Sequence, residues 1–220
     1  MTRIYVPSSG PDDWKSFLAD PEKQWRTGFS ARTLAHCWEA AGGLPPEVGR
    51  LFGPDAELLL VIPEHKVPLP PRGRESQNDV FALVRAGGGT FAVTIDGKVN
   101  EPFGPVVSDW LKEASDGKRQ RLSHICGLLG LAEDSVLPLR YQLLHRTASA
   151  LIEAARFKTD AAGMVVHSFS PERLWFEDFT RFVKALGASV SPDVPAWIVL
   201  PNGTRLMTAW ASGDQAFLGR

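Results

Sequence analysis

The strongest constraint on how this chain folds is a pair of apolar segments, 79–86 and 90–99, joined by Gly87-Gly88-Gly89. Side chains alternate between the two faces of a strand, and a short glycine-rich connection between two such runs is typical of a β-hairpin. A third apolar run, 57–62, precedes them and ends at Pro63. The sequence therefore predicts three consecutive strands.

Helical and extended patterns alternate around these strands. Ser30 precedes an amphipathic pattern that stops at Gly42-Gly43, which predicts a helix over 31–41. Further helices are predicted at 12–19, 106–114, 118–130, 139–157 and 171–186, and further strands at 3–7, 164–169, 197–200 and 206–210. The order predicts an α/β fold in one domain, 1–220, with a mixed β-sheet flanked by helices and a C-terminal hairpin turned by Asn202-Gly203.

Composition narrows the classes of function. The net charge is −1, so the protein lacks the overall positive field that drives non-specific binding of nucleic acid. Cys37 and Cys126 belong to no metal-ligand spacing and are expected to be buried free thiols. No apolar run approaches the roughly 18 residues of a membrane span, and the N-terminus lacks the apolar stretch of a signal peptide. We expect a cytoplasmic protein without a membrane partner, either a monomer or a homo-oligomer.

Charged residues stand out on the third predicted strand. Alternation puts Thr94, Asp96 and Lys98 on one face of that strand. A two-residue hairpin loop would place Asp79 opposite Asp96 or Lys98, whereas a three-residue loop would place it opposite Gly97, on the wrong face unless a bulge restores it. The sequence leaves both registers open.

This trio suits phosphodiester chemistry. Two close carboxylates repel each other and can share a hard divalent cation such as Mg²⁺ or Mn²⁺, which also binds water and phosphate oxygens. A neighbouring lysine can orient water or stabilise developing charge. The alternative is a surface ion pair at a strand end, because short patterns of this kind often arise by chance.

A helix, three strands carrying Gln77-Asn78-Asp79 and Asp96-Gly97-Lys98, then a helix and a strand, resembles the PD-(D/E)xK nuclease superfamily. The resemblance covers about 31–170 and implies a restriction-endonuclease-like core of order α-β-β-β-α-β. It implies a metal-dependent nuclease in which Asp79 and Asp96 bind the metal and Lys98 is catalytic. The stretches 64–68 and 145–149 are also similar to an uncharacterised group of bacterial proteins, which brings no activity with it.

Four more residues are candidate site members. The resemblance suggests Glu39, on the first long helix, as a further metal ligand. The alternative interpretation is that Glu39 is an ordinary solvent-exposed helix residue. Gln142 and Arg146 share one polar stripe of the helix at 139–157 and could contact phosphate. That stripe would line a cleft if it is functional and lie in solvent if it is not. Lys66 follows the first strand. It could contact phosphate, or it could be a polar loop residue with no role in the site.

A loose basic cluster completes the candidates. It comprises Lys112, Lys118, Arg119 and Arg121 on predicted helices, with Arg72 and Arg74 in a preceding loop. Such a cluster either follows a nucleic-acid backbone or is a charged helix face. Three hypotheses remain open: a metal-dependent nuclease that acts on nucleic acid, a catalytically inactive protein of the same fold that binds protein or nucleic acid, and an unrelated α/β protein.

Overall fold

The computed structural model describes residues 8–71 and 73–220. The strand predicted at 3–7 and the side chain of Arg72 lie outside these residues. Among the residues described, no helix is both long enough and apolar enough to cross a membrane.

Seven α-helices and six β-strands are found in the described residues. The helices are α1 (Pro21–Gln24), α2 (Ser30–Ala41), α3 (Pro46–Arg50), α4 (Val107–Trp110), α5 (Asp116–Leu129), α6 (Tyr141–Phe157) and α7 (Phe176–Ala185). The strands are β1 (Glu57–Val67), β2 (Ser76–Ala86), β3 (Gly89–Lys98), β4 (Ala161–Ser168), β5 (Ala196–Val199) and β6 (Arg205–Ser212). Short 3-10 helices occupy Pro11–Phe17, Glu133–Val136 and Gln215–Gly219.

The strands form a single mixed sheet in the order β1-β2-β3-β4-β6-β5. Strands β1, β2 and β3 pair antiparallel, β4 is parallel to both β3 and β6, and β5 closes the far edge as an antiparallel hairpin with β6. Helices cover both faces of this open sheet. The predicted α/β class, the mixed sheet and the terminal hairpin are confirmed.

Two apolar layers, one on each face of the sheet, hold the helices in place. On one face Phe81, Met164 and Trp210 pack among buried residues of α5, α6 and α7. On the other face Val93 and Ile95 pack with buried residues of α2 and α3. The alternation of β3 therefore serves both layers, as the sequence pattern predicts.

The hairpin between β2 and β3 has a two-residue turn. Ala86 pairs with Gly89, and Gly87 and Gly88 have φ values of 55° and 76°. Positive φ at both central residues is the geometry of a type I′ turn, which glycine adopts without strain. Val80 pairs with Ile95, so the same register places Asp79 across from Asp96.

Strand β1 is longer than predicted. It continues through Pro63 to Val67, and Pro63 pairs with Val80. A proline is tolerated here because β1 is the edge strand, where a missing N–H leaves no ladder bond unmade. The expectation that the strand ends at Pro63 is wrong, and residues 64–66 are part of the strand.

Candidate active site

Three carboxylates lie in a row across the neighbouring strands β1, β2 and β3. The β1–β2 register pairs Pro63 with Val80 and His65 with Asn78, which sets Glu64 across from Asp79. Asp79 in turn lies across from Asp96. Asp79 and Asp96 both face α6, because Arg146 of that helix pairs with both of them, and Glu64 lies beside them at the end of the strands.

Two cations lie among these carboxylates. Lys98 Nζ is 2.7 Å from Asp96 Oδ2 and also donates to the Gly97 carbonyl at 3.1 Å. Arg146 Nη2 is 3.0 Å from Asp79 Oδ1 and 3.5 Å from Asp96 Oδ1. Asp96 and Lys98 are at most 3% exposed. This burial excludes a surface ion pair at a strand end.

Polar groups from the helix and the backbone complete the arrangement. Gln142 Nε2 donates to Asp96 Oδ1 at 3.0 Å, and the Gly97 N–H donates to Asp79 Oδ2 at 2.8 Å. A Cβ at position 97 would lie 3.2 Å from Leu34 Cδ2 and 3.4 Å from Asp79 Oδ2. A glycine at this position therefore lets the backbone approach the Asp79 carboxylate closely.

The polar stripe on α6 is buried. Arg146 is 7% exposed, and Ser149 and Glu153 are fully buried. Glu153 accepts from Arg156 and lies 3.6 Å from His65 Nε2. The stripe thus lines the sheet and the cleft and does not face solvent.

A cleft of about 280 Å³ opens onto the cluster; we call it the carboxylate cleft. Glu64, Asp79, Lys98, Gln142 and Arg146 line it, together with Ser30 and Ala31 at the start of α2. Asp79, Lys98, Gln142 and Arg146, all predicted from the sequence, therefore meet in one place. The cleft gives an outside group access to side chains that are otherwise buried.

Glu64 lacks the neutralising partner that the aspartates have. Its Oε2 accepts from Gln77 Nε2 at 2.7 Å, and no ion pair to Glu64 is found among the described residues. Burial and the Asp79 carboxylate raise the pKa of Glu64 to about 8. Burial and Asp96 likewise raise the pKa of Asp79, against the opposing effect of Arg146. The three carboxylates therefore carry more negative charge, when all are ionised, than Lys98 and Arg146 can neutralise.

Glu39 is not brought to the cluster. Its Oε1 accepts from Trp14 Nε1 and from Ser8 Oγ, each at 2.7 Å. Ser30 borders the cleft, and Glu39 lies nine positions farther along α2, at a rise of about 1.5 Å for each position. Glu64 is the third acid of the site in its place, and extending β1 beyond Pro63 is the step that would have found it.

Lys66 lies close to the cleft but outside the cluster. It is exposed on β1 and lines a shallow neighbouring depression with Arg74 and Gln77. Lys66 lies two positions beyond Glu64 on β1 and does not line the carboxylate cleft. A direct role of Lys66 beside the carboxylates does not fit this position.

A second polar group lies on the opposite face of the sheet, where Cys37, Glu47 and His167 have ligand atoms within 4.8 Å of one another. Trp38 Nε1 donates to His167 Nδ1 at 3.3 Å, so the proton of the neutral ring is on Nε2, which is 2.8 Å from Glu47 Oε1. Burial and the nearby Glu47 raise the pKa of the Cys37 thiol well above its ordinary value. The Cys37 thiol and His167 Nε2 therefore both carry a proton. This favours a hydrogen-bond network around Glu47 over metal ligation.

The fold and the cleft define a mixed α/β protein with a buried carboxylate–lysine–arginine cluster at one end of adjacent antiparallel strands. The chain belongs to the family described as Domain of unknown function (DUF6946), whose model matches residues 7–215. No curated protein and no solved structure gives a significant match.

Proposed function

We propose that this protein is a metal-dependent phosphodiesterase that hydrolyses nucleic acid, with its active site in the carboxylate cleft. The observation that carries the proposal is that Glu64, Asp79 and Lys98 line one accessible cleft, with Asp96 buried directly beside Lys98. The similarity to PD-(D/E)xK nucleases in the order of elements and in Asp79, Asp96 and Lys98 supports the same reading.

The donor set fits Mg²⁺ or Mn²⁺. The candidate ligands are carboxylate oxygens, which these hard cations prefer. Three carboxylates face two cationic side chains, and Glu64 is the one left without a charged partner. The oxygens of Glu64, Asp79 and Asp96 do not all lie within 4.8 Å of one another, so a divalent cation would have to draw them together; it would then balance this charge and return the pKa of Glu64 toward its ordinary range. When bound, such an ion supplies Lewis-acid polarisation of the phosphoryl group and a more acidic water.

Lys98 is placed to handle the attacking water. Asp96 and the Gly97 carbonyl fix its ammonium group, so that its remaining donor can orient a water or stabilise charge on the phosphoryl oxygens. In the reaction the water oxygen forms a new P–O bond and the ester P–O bond breaks. The proton lost by the water and the proton gained by the leaving alkoxide are both exchanged with solvent.

Gln142 and Arg146 are placed to position the substrate and the ligands. Gln142 holds one Asp96 oxygen in a fixed direction. Arg146 can transfer its donors from Asp79 to a phosphate, which offers the same spacing of acceptor oxygens. Positioning by a planar guanidinium fits a substrate with paired anionic oxygens.

The test is divalent-dependent cleavage of labelled DNA and RNA strands. We expect cleavage with Mn²⁺ or Mg²⁺ that is lost in Asp96→Asn and in Lys98→Ala. The exposed pair Asp109–Lys112, 2.7 Å apart, offers matched controls, Asp109→Asn and Lys112→Ala, which should cleave normally. Cleavage that survives both site variants, in protein that circular dichroism shows to be folded, would remove this cleft from consideration.

One observation favours a second function. Arg146 already bridges Asp79 and Asp96, as a resident cation would in a protein of this fold that binds nucleic acid without cleaving it. Calorimetric titration with Mn²⁺ separates the two functions. Saturable binding that Asp79→Asn abolishes supports the enzyme, and absence of binding supports the second function. Because both cysteines are free thiols, as in reducing compartments, we place either activity in the cytoplasm.

A further inference from the structure

A larger cavity adjoins the carboxylate cleft. It has a volume of about 620 Å³; we call it the basic groove. Glu64, Asp79 and Arg146 line both cavities, so the two meet at the cluster. From there the basic groove runs to the start of α5, where Ser115, Gly117 and Lys118 line it.

The far end of the basic groove carries unpaired positive charge. Arg74, Lys118 and Arg121 line it, and none of them forms an ion pair within the described part of the chain. Arg121 donates to the carbonyls of Leu69 and Pro71, at 3.1 and 3.2 Å. These bonds hold the loop that follows β1 against α5 and leave the arginine's charge uncompensated.

Three acidic residues also line the groove, two at the cluster and one at the basic end. Glu64 and Asp79 belong to the cluster, and Glu75 is exposed beside Arg74. His145 lies between the two ends, where burial and the surrounding charges of Arg146 and Arg121 hold its pKa well below its ordinary value. The groove therefore has the proposed catalytic carboxylates at one end, and three cations with one exposed acid, Glu75, at the other.

Arg146 points to an anionic ligand at the junction of the two cavities. Its side chain is 8% exposed, and its Nε and Nη1 atoms have no hydrogen-bond partner among the described residues. Burying guanidinium donors without acceptors is costly, so a site of this kind gains stability when acceptor oxygens arrive. Phosphate oxygens match the spacing of these donors.

The start of α5 adds a favourable field. This helix spans Asp116–Leu129, and its N-cap Ser115 accepts from the Lys118 N–H. The first backbone N–H groups of a helix have no partner within it, and they carry partial positive charge. Gly117 lines the groove here, so a phosphate can approach the backbone closely.

We propose that the basic groove binds a second phosphate of a single nucleic-acid strand whose scissile phosphate lies in the carboxylate cleft. Arg74, Lys118 and the start of α5 contact that second phosphate, and Arg146 lies between the two. A cavity of this volume is of the size that holds small molecules, which favours a single strand over a duplex. The assignment of the scissile end rests on the proposed function; the binding of the strand does not.

The test is the binding of fluorescent single-stranded DNA and RNA of the same sequence to the full chain in EDTA, measured by anisotropy. The double variant Arg74→Ala/Lys118→Ala should bind at least about tenfold more weakly at 0.1 M salt, and its salt slope should fall by about 1.4. The control Arg119→Ala/Lys112→Ala removes two exposed cations from the same region that do not line the groove, and it should bind like the wild type.

Three results would overturn the proposal: no binding by the wild type, equal weakening of both double variants, and duplex DNA bound as tightly as the strand. A measurement on the unaltered protein guards against misfolded variants, since inorganic pyrophosphate should displace the bound strand. EDTA removes metal and prevents cleavage. Failure of binding therefore counts against the basic groove alone, whereas cleavage that survives Asp96→Asn counts against the proposed function alone.

Discussion

Arg146 of helix α6 donates to Asp79 of strand β2 at 3.0 Å, which joins the helix to the sheet at the centre of the site. The same guanidinium lies 3.5 Å from Asp96. One cation therefore offsets the repulsion between the buried Asp96 carboxylate and the half-buried Asp79 carboxylate.

This relationship predicts the effect of removing the arginine. In Arg146→Met the buried Asp96 and the half-buried Asp79 lose their shared cation, and the free energy of unfolding should fall by about 3 kcal/mol. Mn²⁺ should then raise the melting temperature of the variant more than that of the wild type, because the ion takes over the role of the guanidinium. Differential scanning fluorimetry with and without Mn²⁺ measures both effects. An equal Mn²⁺ shift in the two proteins would contradict this reading.

The Asp96–Lys98 pair should behave as a coupled unit. Asp96→Asn and Lys98→Met should each cost about 3 kcal/mol, because each leaves the other charge buried without its partner. The double variant should cost clearly less than the sum of the two single variants. Urea denaturation of the four proteins of this cycle gives the coupling energy. Strict additivity would show that the 2.7 Å contact contributes nothing.

Gly97→Ala should disturb the site through a single methyl group. The new Cβ would lie 3.2 Å from Leu34 Cδ2 and 3.4 Å from Asp79 Oδ2, so we expect a loss of about 1 kcal/mol and weaker Mn²⁺ binding. Gly127→Ala is the control, because its Cβ meets nothing within 4 Å on α5, and it should stabilise the protein by up to about 1 kcal/mol. Chemical denaturation and calorimetry measure the two quantities. Unchanged Mn²⁺ binding in Gly97→Ala would show that the close approach of Gly97 to Asp79 does not affect metal binding.

His145 should make stability depend on pH. Burial and its cationic neighbours lower the pKa of His145 in the folded state, so below the unfolded pKa of 6.5 the unfolded chain binds more protons. The stability contributed by the neutral ring is complete above pH 6.5 and is lost as the pH falls toward the folded pKa, by at most about 1.4 kcal/mol per pH unit. Urea denaturation on either side of pH 6.5 measures this slope.

The variant His145→Gln should show a smaller slope than the wild type. Part of the dependence should remain, because burial and Arg32 also lower the pKa of His36. The reciprocal variant His36→Gln should therefore remove only that part. A slope that neither substitution changes would assign the pH dependence to other groups.

The Cys37–Glu47–His167 group should not bind a transition metal. Because Trp38 donates to His167 Nδ1, the lone pair that a metal needs at Nε2 is replaced by a proton. Addition of Co²⁺ should therefore produce no thiolate charge-transfer absorption. Glu47→Ala should instead lower stability by about 1–3 kcal/mol, because His167 loses its acceptor in the core. A Co²⁺–thiolate absorption band would contradict the assignment of the His167 proton to Nε2.

Much of this architecture follows from local patterns. Alternation along β3 is sufficient to put Asp96 and Lys98 on one face, and the glycine-rich connection predicts the hairpin that aligns Asp79 with them. What the pattern left open was the loop length, since two-residue and three-residue loops are both compatible with Gly87-Gly88-Gly89. The observed pairing of Ala86 with Gly89 resolves it.

Other features depend on tertiary packing, which a local pattern does not contain. Glu64 was not predicted as a member of the site because a proline usually ends a strand, and the tolerance of Pro63 depends on β1 being an edge strand. The periodicity of α2 assigns Glu39 to a polar face but does not say which neighbour that face meets, and the neighbour is Trp14. The burial of Arg146 depends on how α6 docks on the sheet. The helix predicted at 12–19 is a 3-10 helix at Pro11–Phe17, and that predicted at 106–114 is the single turn α4.

The two-glycine turn between β2 and β3 sets a length constraint on everything that lies beyond it. An added residue leaves Asp79 opposite Asp96 only if the turn absorbs it as a bulge, because an uncompensated one-residue slip would move every β3 side chain to the opposite face. Asp96 and Lys98 would then point toward Leu34, and Val93 and Ile95 toward α6, although Asp79 lies some seven residues, about 23 Å, from the turn. An odd-length insertion at this distant tip would thus disrupt the core and the carboxylate cluster together unless a bulge absorbs it, whereas exchange of Gly87-Gly88 for Asn-Gly should be tolerated.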